Sequence, residues 1–196
     1  MMSFRLVILL SALCALAAPG LAQAAGGNYV FAGGTPAEQT QVRNALDASS
    51  FNWGVVPQTI TIHIARGIDS EATVGHIWLD SDLVDAGRFA WGTVQHEYAH
   101  QVDFFLLDDA KRSALAGGLG GGSWWATAAT GAHADATCER FASTLAWTFW
   151  QSKDNAMRPE SPRDESAAMA PAAFKALLAQ VLPGSNVPTV RRAARL

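Results

Sequence analysis

Cysteine and charge are both scarce in this chain of 196 residues: it has two cysteines, and 16% of its residues are charged. Two cysteines exclude a disulfide-dense scaffold and a four-cysteine zinc site. Low charge alongside 49% hydrophobic residues excludes global disorder. The net charge is −3, with no Lys/Arg cluster, so there is no electrostatic footprint for nucleic acid. No internal repeat is visible. The length suits one domain, whole or split into two lobes, with a real hydrophobic core. Function therefore has to come from a local constellation of residues.

The amino terminus is set apart from that domain. Arg5 precedes the apolar run Leu6–Ala18, Pro19-Gly20 breaks it, and Ala22-Gln23-Ala24 is a small-x-small cleavage site. Residues 1–24 thus have the form of a secretory signal peptide. The run is about 13 residues, short of the roughly 20 needed to span a bilayer. Leu13 before Cys14 does not suit a lipoprotein site. Cleavage after Ala24 takes the basic count from 14 to 13 against 17 acids. It leaves Cys138 as the single cysteine, so no intramolecular disulfide is available. The expected location is secreted or periplasmic, without stable membrane insertion.

Within 25–182 the pattern alternates between strand and helix signals. Asn28–Ala32 is a short strand candidate. Pro36–Ser49 has Thr35 as N-cap, Pro36 at its first position and Val42, Ala45 and Leu46 on one face, which predicts a helix. Thr59–Ile64 alternates with Ile60, Ile62 and Ile64 on one side, and Val74–Leu79 is a further strand candidate before the polar turn Asp80-Ser81-Asp82. From Phe89 to Leu107 the period is helical and two faces are loaded. Val94, Tyr98, Val102 and Phe105 form one stripe; His96, His100, Asp103 and Leu107 form the other. A helix loaded on both sides is expected between two layers. Gly117–Gly122 reads as a flexible connection, His133–Trp150 as a helix, Lys153–Asp164 as a polar loop and Ala167–Leu182 as a last helix. Residues 183–196 read as a loose tail whose three arginines are solvated.

The loaded helix carries His96-Glu97-Tyr98-Ala99-His100. Residues four apart on a helix project from nearly one face, so both imidazoles can reach a single zinc ion at about 2.0–2.1 Å. Glu97, beside the first histidine, can serve a water at the metal without displacing a ligand. The chain has five histidines and six glutamates in all, so chance placement of HExxH is a weak explanation. The plain alternative is two core or surface histidines around a solvated glutamate.

On this motif, and less specifically on Asp135–Ser143, the chain resembles the zincin metallopeptidases. That resemblance implies an α+β fold with a small N-terminal sheet and active-site helix in one lobe and a mainly helical C-terminal lobe. It implies Zn²⁺ as cofactor and a peptide or protein as substrate. The metzincin continuation HExxHxxGxxH is excluded, because its positions fall on Asp103 and Leu106. The gluzincin-like subtype takes a downstream glutamate as third ligand, and Glu139 is the leading candidate, with Asp135 and His133 as alternatives. Cys138 points about 100° away from its neighbour on a helix and reads as a small buried hydrophobe.

Further roles follow from the same comparison. Asp103, three residues after His100, could orient an imidazole. His133 could stabilise the oxyanion, as a histidine or tyrosine does in related enzymes. His63 and His76 read as structural. The segment Val74–Leu79 would be the edge strand that pairs with extended substrate. Trp78, Trp124 and Trp125 are either core aromatics or cleft walls. The implied activity is secreted zinc-dependent peptide hydrolysis with Glu97 as general base. A catalytically inactive zinc-binding or interaction protein of the same fold is the rival, and a structural secreted domain without zinc is the third reading. The sequence carries no signal for oligomeric state.

Overall fold

A computed structural model describes residues 26–125 and 133–185. The proposed signal peptide and residues 186–196 of the tail lie outside them. The fold mixes a small four-stranded sheet with six α-helices, consistent with an α+β class.

Strand β1 (Tyr29–Gly33) leads into helix α1 (Pro36–Ala48) and strand β2 (Ile60–Ala65). The start of α1 is written in the sequence. Thr35 accepts from the Glu38 backbone N–H while Glu38 reaches back to the Thr35 N–H, and Pro36 occupies the first turn. The strands β1 and β2 are parallel, as a helical crossover requires.

The strand expected at Val74–Leu79 is present from His76, but it is the second arm of a hairpin. Strand β3 (Glu71–Thr73) turns at Val74-Gly75 into β4 (His76–Asp80). Sheet order is β1-β2-β4-β3, with β2 and β4 parallel and β3 antiparallel to β4. The sheet edges are therefore β1 and β3, and β4 is internal. The correction has a physical cause: Gly75, at φ +80°, supplies the reversal that the apolar pattern of VGHIWL conceals. Asp80 is also more than a turn residue, since its carboxylate accepts from the Asp82 N–H and opens the short helix α2 (Ser81–Asp85).

Ile60, Ile62, Ile77 and Leu79 are buried on the inner face of the sheet. Each contributes about 1.5–3 kcal/mol through that burial. Against them lies α3 (Trp91–Leu106), enclosed on nearly every side from Gly92 to Asp103. Tyr98, wholly buried, meets Trp53 and Tyr29 edge-on. The opposite face of α3 packs on α5 (Thr137–Phe149). The two loaded stripes of the sequence are thus occupied by different neighbours, as their pattern requires.

Helix α4 (Asp109–Leu119) fills a stretch that the glycine-rich reading overlapped. It is capped by Asp108, and only Gly120–Gly122 remain as loop. Helix α5 starts at Thr137, later than the expected His133; residues His133–Asp135 form a separate short 3-10 turn. Helix α6 (Pro171–Val181) closes the core with Phe174 and Leu178. Among the described residues, no helix is long and apolar enough to cross a membrane.

Candidate metal centre

Residues 96 and 100, one turn apart on α3, place their imidazoles edge to face with ring centroids 4.8 Å apart. Their Nε2 atoms are 3.2 Å apart. Glu139, from the first turn of α5, brings Oε2 to 3.2 Å from His96 Nε2 and 3.3 Å from His100 Nε2. The three ligand atoms form a nearly equilateral triangle. A tetrahedral ion with bonds of about 2.0 Å has edges of about 3.3 Å, so the triangle is one face of such a coordination shell. This buried group could hold a metal ion, and it is the one group of three potential ligands found among the described residues.

Glu139 reaches the triangle because of how α5 begins. Ala136, at the N-cap, offers no side-chain acceptor. The orphan N–H groups of the first turn are taken instead by the preceding loop: Thr137 N–H donates to the Ser123 carbonyl at 3.1 Å, and Cys138 N–H to the Trp124 carbonyl at 2.9 Å. Gly122 N–H closes the arrangement on the Asp135 carbonyl at 2.8 Å. Gly121 sits at φ +98°, and a Cβ there would meet Thr137 Oγ1 at 2.9 Å. The glycine-rich stretch is a fitted cap for the ligand helix, and that cap sets the late start at Thr137.

Electrostatics support the group as a unit. Burial raises the Glu139 carboxyl, but hydrogen bonds and positive charge from His100 and His96 outweigh it and hold it well below the usual carboxylate range. Burial lowers His100, yet its contact with Glu139 and the nearby Glu97 and Asp103 raise it on balance.

The imidazole of His96 is anchored from behind. Its Nδ1 lies 3.0 Å from Ser143 Oγ, and that hydroxyl donates to Glu165 Oε2 at 2.8 Å. With Nε2 in the triangle, Nδ1 carries the proton and donates to Ser143, so the chain of bonds runs one way. Ser143 and Glu165 were not singled out from sequence as His96 supports. The place of Ser143 one turn after Glu139 on α5 is the signal that could have found it.

Other expected residues fall as follows. Asp103 does not take the role of orienting His100. It is fully buried, with Oδ1 2.8 Å from Arg112 Nε and Oδ2 2.8 Å from Trp124 Nε1, so it ties α3 to α4 and to the capping loop. Asp135 is exposed and stands apart from the ligand group. His133 lies in the 3-10 turn before α5, and its side chain falls outside what the structure describes. Cys138 is buried as expected but also borders the cleft, with Sγ 3.6 Å from Glu139 Oε1. His63 and His76 face outward on the sheet, 3.1 Å apart and ranged beside Trp78, away from the triangle.

The triangle opens onto a cleft of about 350 Å³. Glu97, itself buried, lines it next to the histidines. The far wall is Glu71 and Ala72 of the edge strand β3. Gln101 fixes that strand: its amide donates to the Thr73 and His76 carbonyls at 2.9 and 3.0 Å, and its Oε1 accepts from Gly75 N–H at 2.9 Å. Gln101 was missed from sequence, since a buried glutamine next to His100 carries no pattern of its own. The two tryptophans divide the roles offered to them. Trp124 is anchored on Asp103, whereas Trp125 is exposed, stacks on Phe104 at 5.8 Å and forms the cleft rim.

No family model, curated protein or solved structure matches the chain.

Proposed function

We propose that the protein is a secreted zinc metallopeptidase with a zincin-like, two-lobed arrangement in which α3 carries the active site. The observation that carries this reading is the buried triangle of His96, His100 and Glu139, with edges of 3.2–3.3 Å, beside Glu97 in an open cleft. Two imidazoles and one carboxylate at tetrahedral spacing are a donor set suited to zinc, and the cleft leaves room for a further ligand. When bound there, zinc would supply Lewis acidity toward a scissile carbonyl and a water.

The remaining work belongs to the chain's own residues. Glu97 takes the proton of the attacking water and later passes it to the leaving amine. Strand β3, at the sheet edge and on the cleft wall, offers backbone N–H and C=O groups to an extended peptide by strand addition. The Ser143–Glu165 pair holds His96 in one tautomer and one orientation. The signal-like sequence of residues 1–24 supports export. His133 remains the proposed oxyanion partner because of its place just ahead of the ligand helix.

The test is metal analysis of the purified protein together with a cleavage profile on a peptide mixture. About one zinc per chain and hydrolysis that stops on chelation and returns with zinc are expected. Zinc without hydrolysis would favour the rival, an inactive zinc-binding protein; absence of zinc would reject both.

A further inference from the structure

The solvent side of the sheet carries another pair of histidines, on the opposite face from α3. In β2 the buried Ile62 and Ile64 stand on either side of His63, and in β4 the buried Ile77 follows His76. Alternation therefore sends both imidazoles outward. His63 Nε2 lies 3.1 Å from His76 Nδ1. Trp78 occupies the register position beside His63, its ring 5.0 Å away and within 7° of parallel. The same indole stacks on His76 at 5.5 Å, so it steadies both rings.

Burial does not force these two nitrogens together. His63 is half-buried and His76 exposed, and water satisfies an exposed imidazole as well as a second imidazole does. The spacing suits a shared ion. With metal–nitrogen bonds of about 2.0 Å, two ligands stand about 2.8 Å apart at a right angle and about 3.3 Å apart at the tetrahedral angle. The observed 3.1 Å falls between the two. Both imidazoles rise from neighbouring strands held in parallel register, so their backbones cannot drift apart. The surroundings favour a cation. Thr61 and Thr73 flank His76 on the same face, Glu71 pairs with Trp78, and no Lys or Arg occurs in the four strands.

We propose that His63 and His76 form a second metal site, which binds a divalent transition ion, Cu²⁺ ahead of Ni²⁺ or Zn²⁺, with water completing the shell. Imidazole suits all three ions, and Cu²⁺ stands highest among the divalent first-row metals at such a site. An exposed pair with open positions also lets copper take the tetragonal arrangement of nitrogen and oxygen that it favours. Each ring gives a lone pair, so the ion replaces the proton that lies between the two nitrogens. The site is independent of the peptidase reading: the sheet separates it from the ligand triangle, and its test involves no hydrolysis.

The experiment titrates Cu²⁺ into the zinc-loaded chain and into His63→Gln, His76→Gln and Trp78→Phe, with folding checked by circular dichroism and zinc measured throughout. The wild-type chain is expected to take up about one copper without releasing zinc, with quenching of tryptophan fluorescence and a paramagnetic resonance spectrum of two nitrogen ligands. Each histidine variant should bind that copper at least about 10–100-fold more weakly, since losing a ligand costs no less than losing an outer support. Trp78→Phe should keep the copper and lose part of the quenching, which locates the ion beside that indole. Copper affinity equal to wild type in either histidine variant overturns the proposal, because chelation needs both rings. Copper that enters only by displacing zinc also overturns it, because that ion sits at the triangle. If the chain carries no zinc, the peptidase reading fails and the same titration of the metal-free chain decides. A copper event weakened in both histidine variants sustains the site, and one indifferent to them overturns it.

Discussion

Ser143 Oγ stands 3.0 Å from Nδ1 of His96, one turn along α5 from the glutamate that meets the same imidazole on its other nitrogen. One helix therefore grips His96 from two sides, and Glu165 completes the hold at 2.8 Å. Supports of this kind tune ligand basicity and fix ring orientation, and their removal typically costs about 10–100-fold in metal affinity. Ser143→Ala is expected to weaken zinc binding by about that factor in chelator competition, with Glu165→Gln weakening it less. Affinities equal to wild type in both variants would remove this role.

Asp103 is buried between Arg112 and Trp124 and so links α3, α4 and the loop that caps α5. Asp103→Ala strands a partly buried guanidinium, and about 3 kcal/mol of stability should be lost. Urea denaturation measures it. The double variant with Arg112→Ala should recover part of the loss, because the stranded charge is then gone.

Gly92, at the start of α3, has no room for a side chain: a Cβ there would collide with Asn155 Oδ1 and lie 3.0 Å from Ala156 N. Asn155 is itself fixed, donating to the Ala146 and Trp150 carbonyls and accepting from Met157 N–H. Gly92→Ala is therefore expected to cost about 1–3 kcal/mol, despite the better helix propensity of alanine. A neutral or stabilising outcome in thermal unfolding would show that the loop gives way freely.

Asp164 organises the loop between α5 and α6, and the N–H groups of Ser161 and Glu160 hold its carboxyl below the ordinary value of 3.8. A carboxyl lowered in the folded state adds stability above its unfolded value, and that addition is lost as pH falls through the folded one. The destabilisation by Asp164→Ala should therefore be full above about pH 5 and shrink as the pH drops below about 4. A pH-independent difference between variant and wild type would assign the effect to geometry rather than charge.

Much of this was legible because it rests on local periodicity. The spacing of His96 and His100, the alternation of Ile60, Ile62 and Ile64, and the Thr35/Glu38 cap are each determined within one turn or one strand. Glu139 could be reached because its position lies ahead of an apolar helix face. What escaped depends on distant partners. Ser143 and Glu165 are 22 residues apart, and Ser143 lies 47 from His96. Gln101 acts on carbonyls 25 and 28 residues away. The edge strand was misassigned because β3 is three residues long, too short to show alternation, and its neighbour β4 has the stronger apolar signal.

Peptide hydrolysis by Glu97→Gln, with zinc content measured on the same sample, tests the central claim most directly. The substitution keeps the size of the side chain and the His96, His100 and Glu139 ligands while removing the base. Zinc should stay at about one per chain, and turnover should fall by about 10²–10⁴-fold, the range expected for losing a general base. Hydrolysis at the wild-type rate by the zinc-loaded variant would contradict the role given to Glu97.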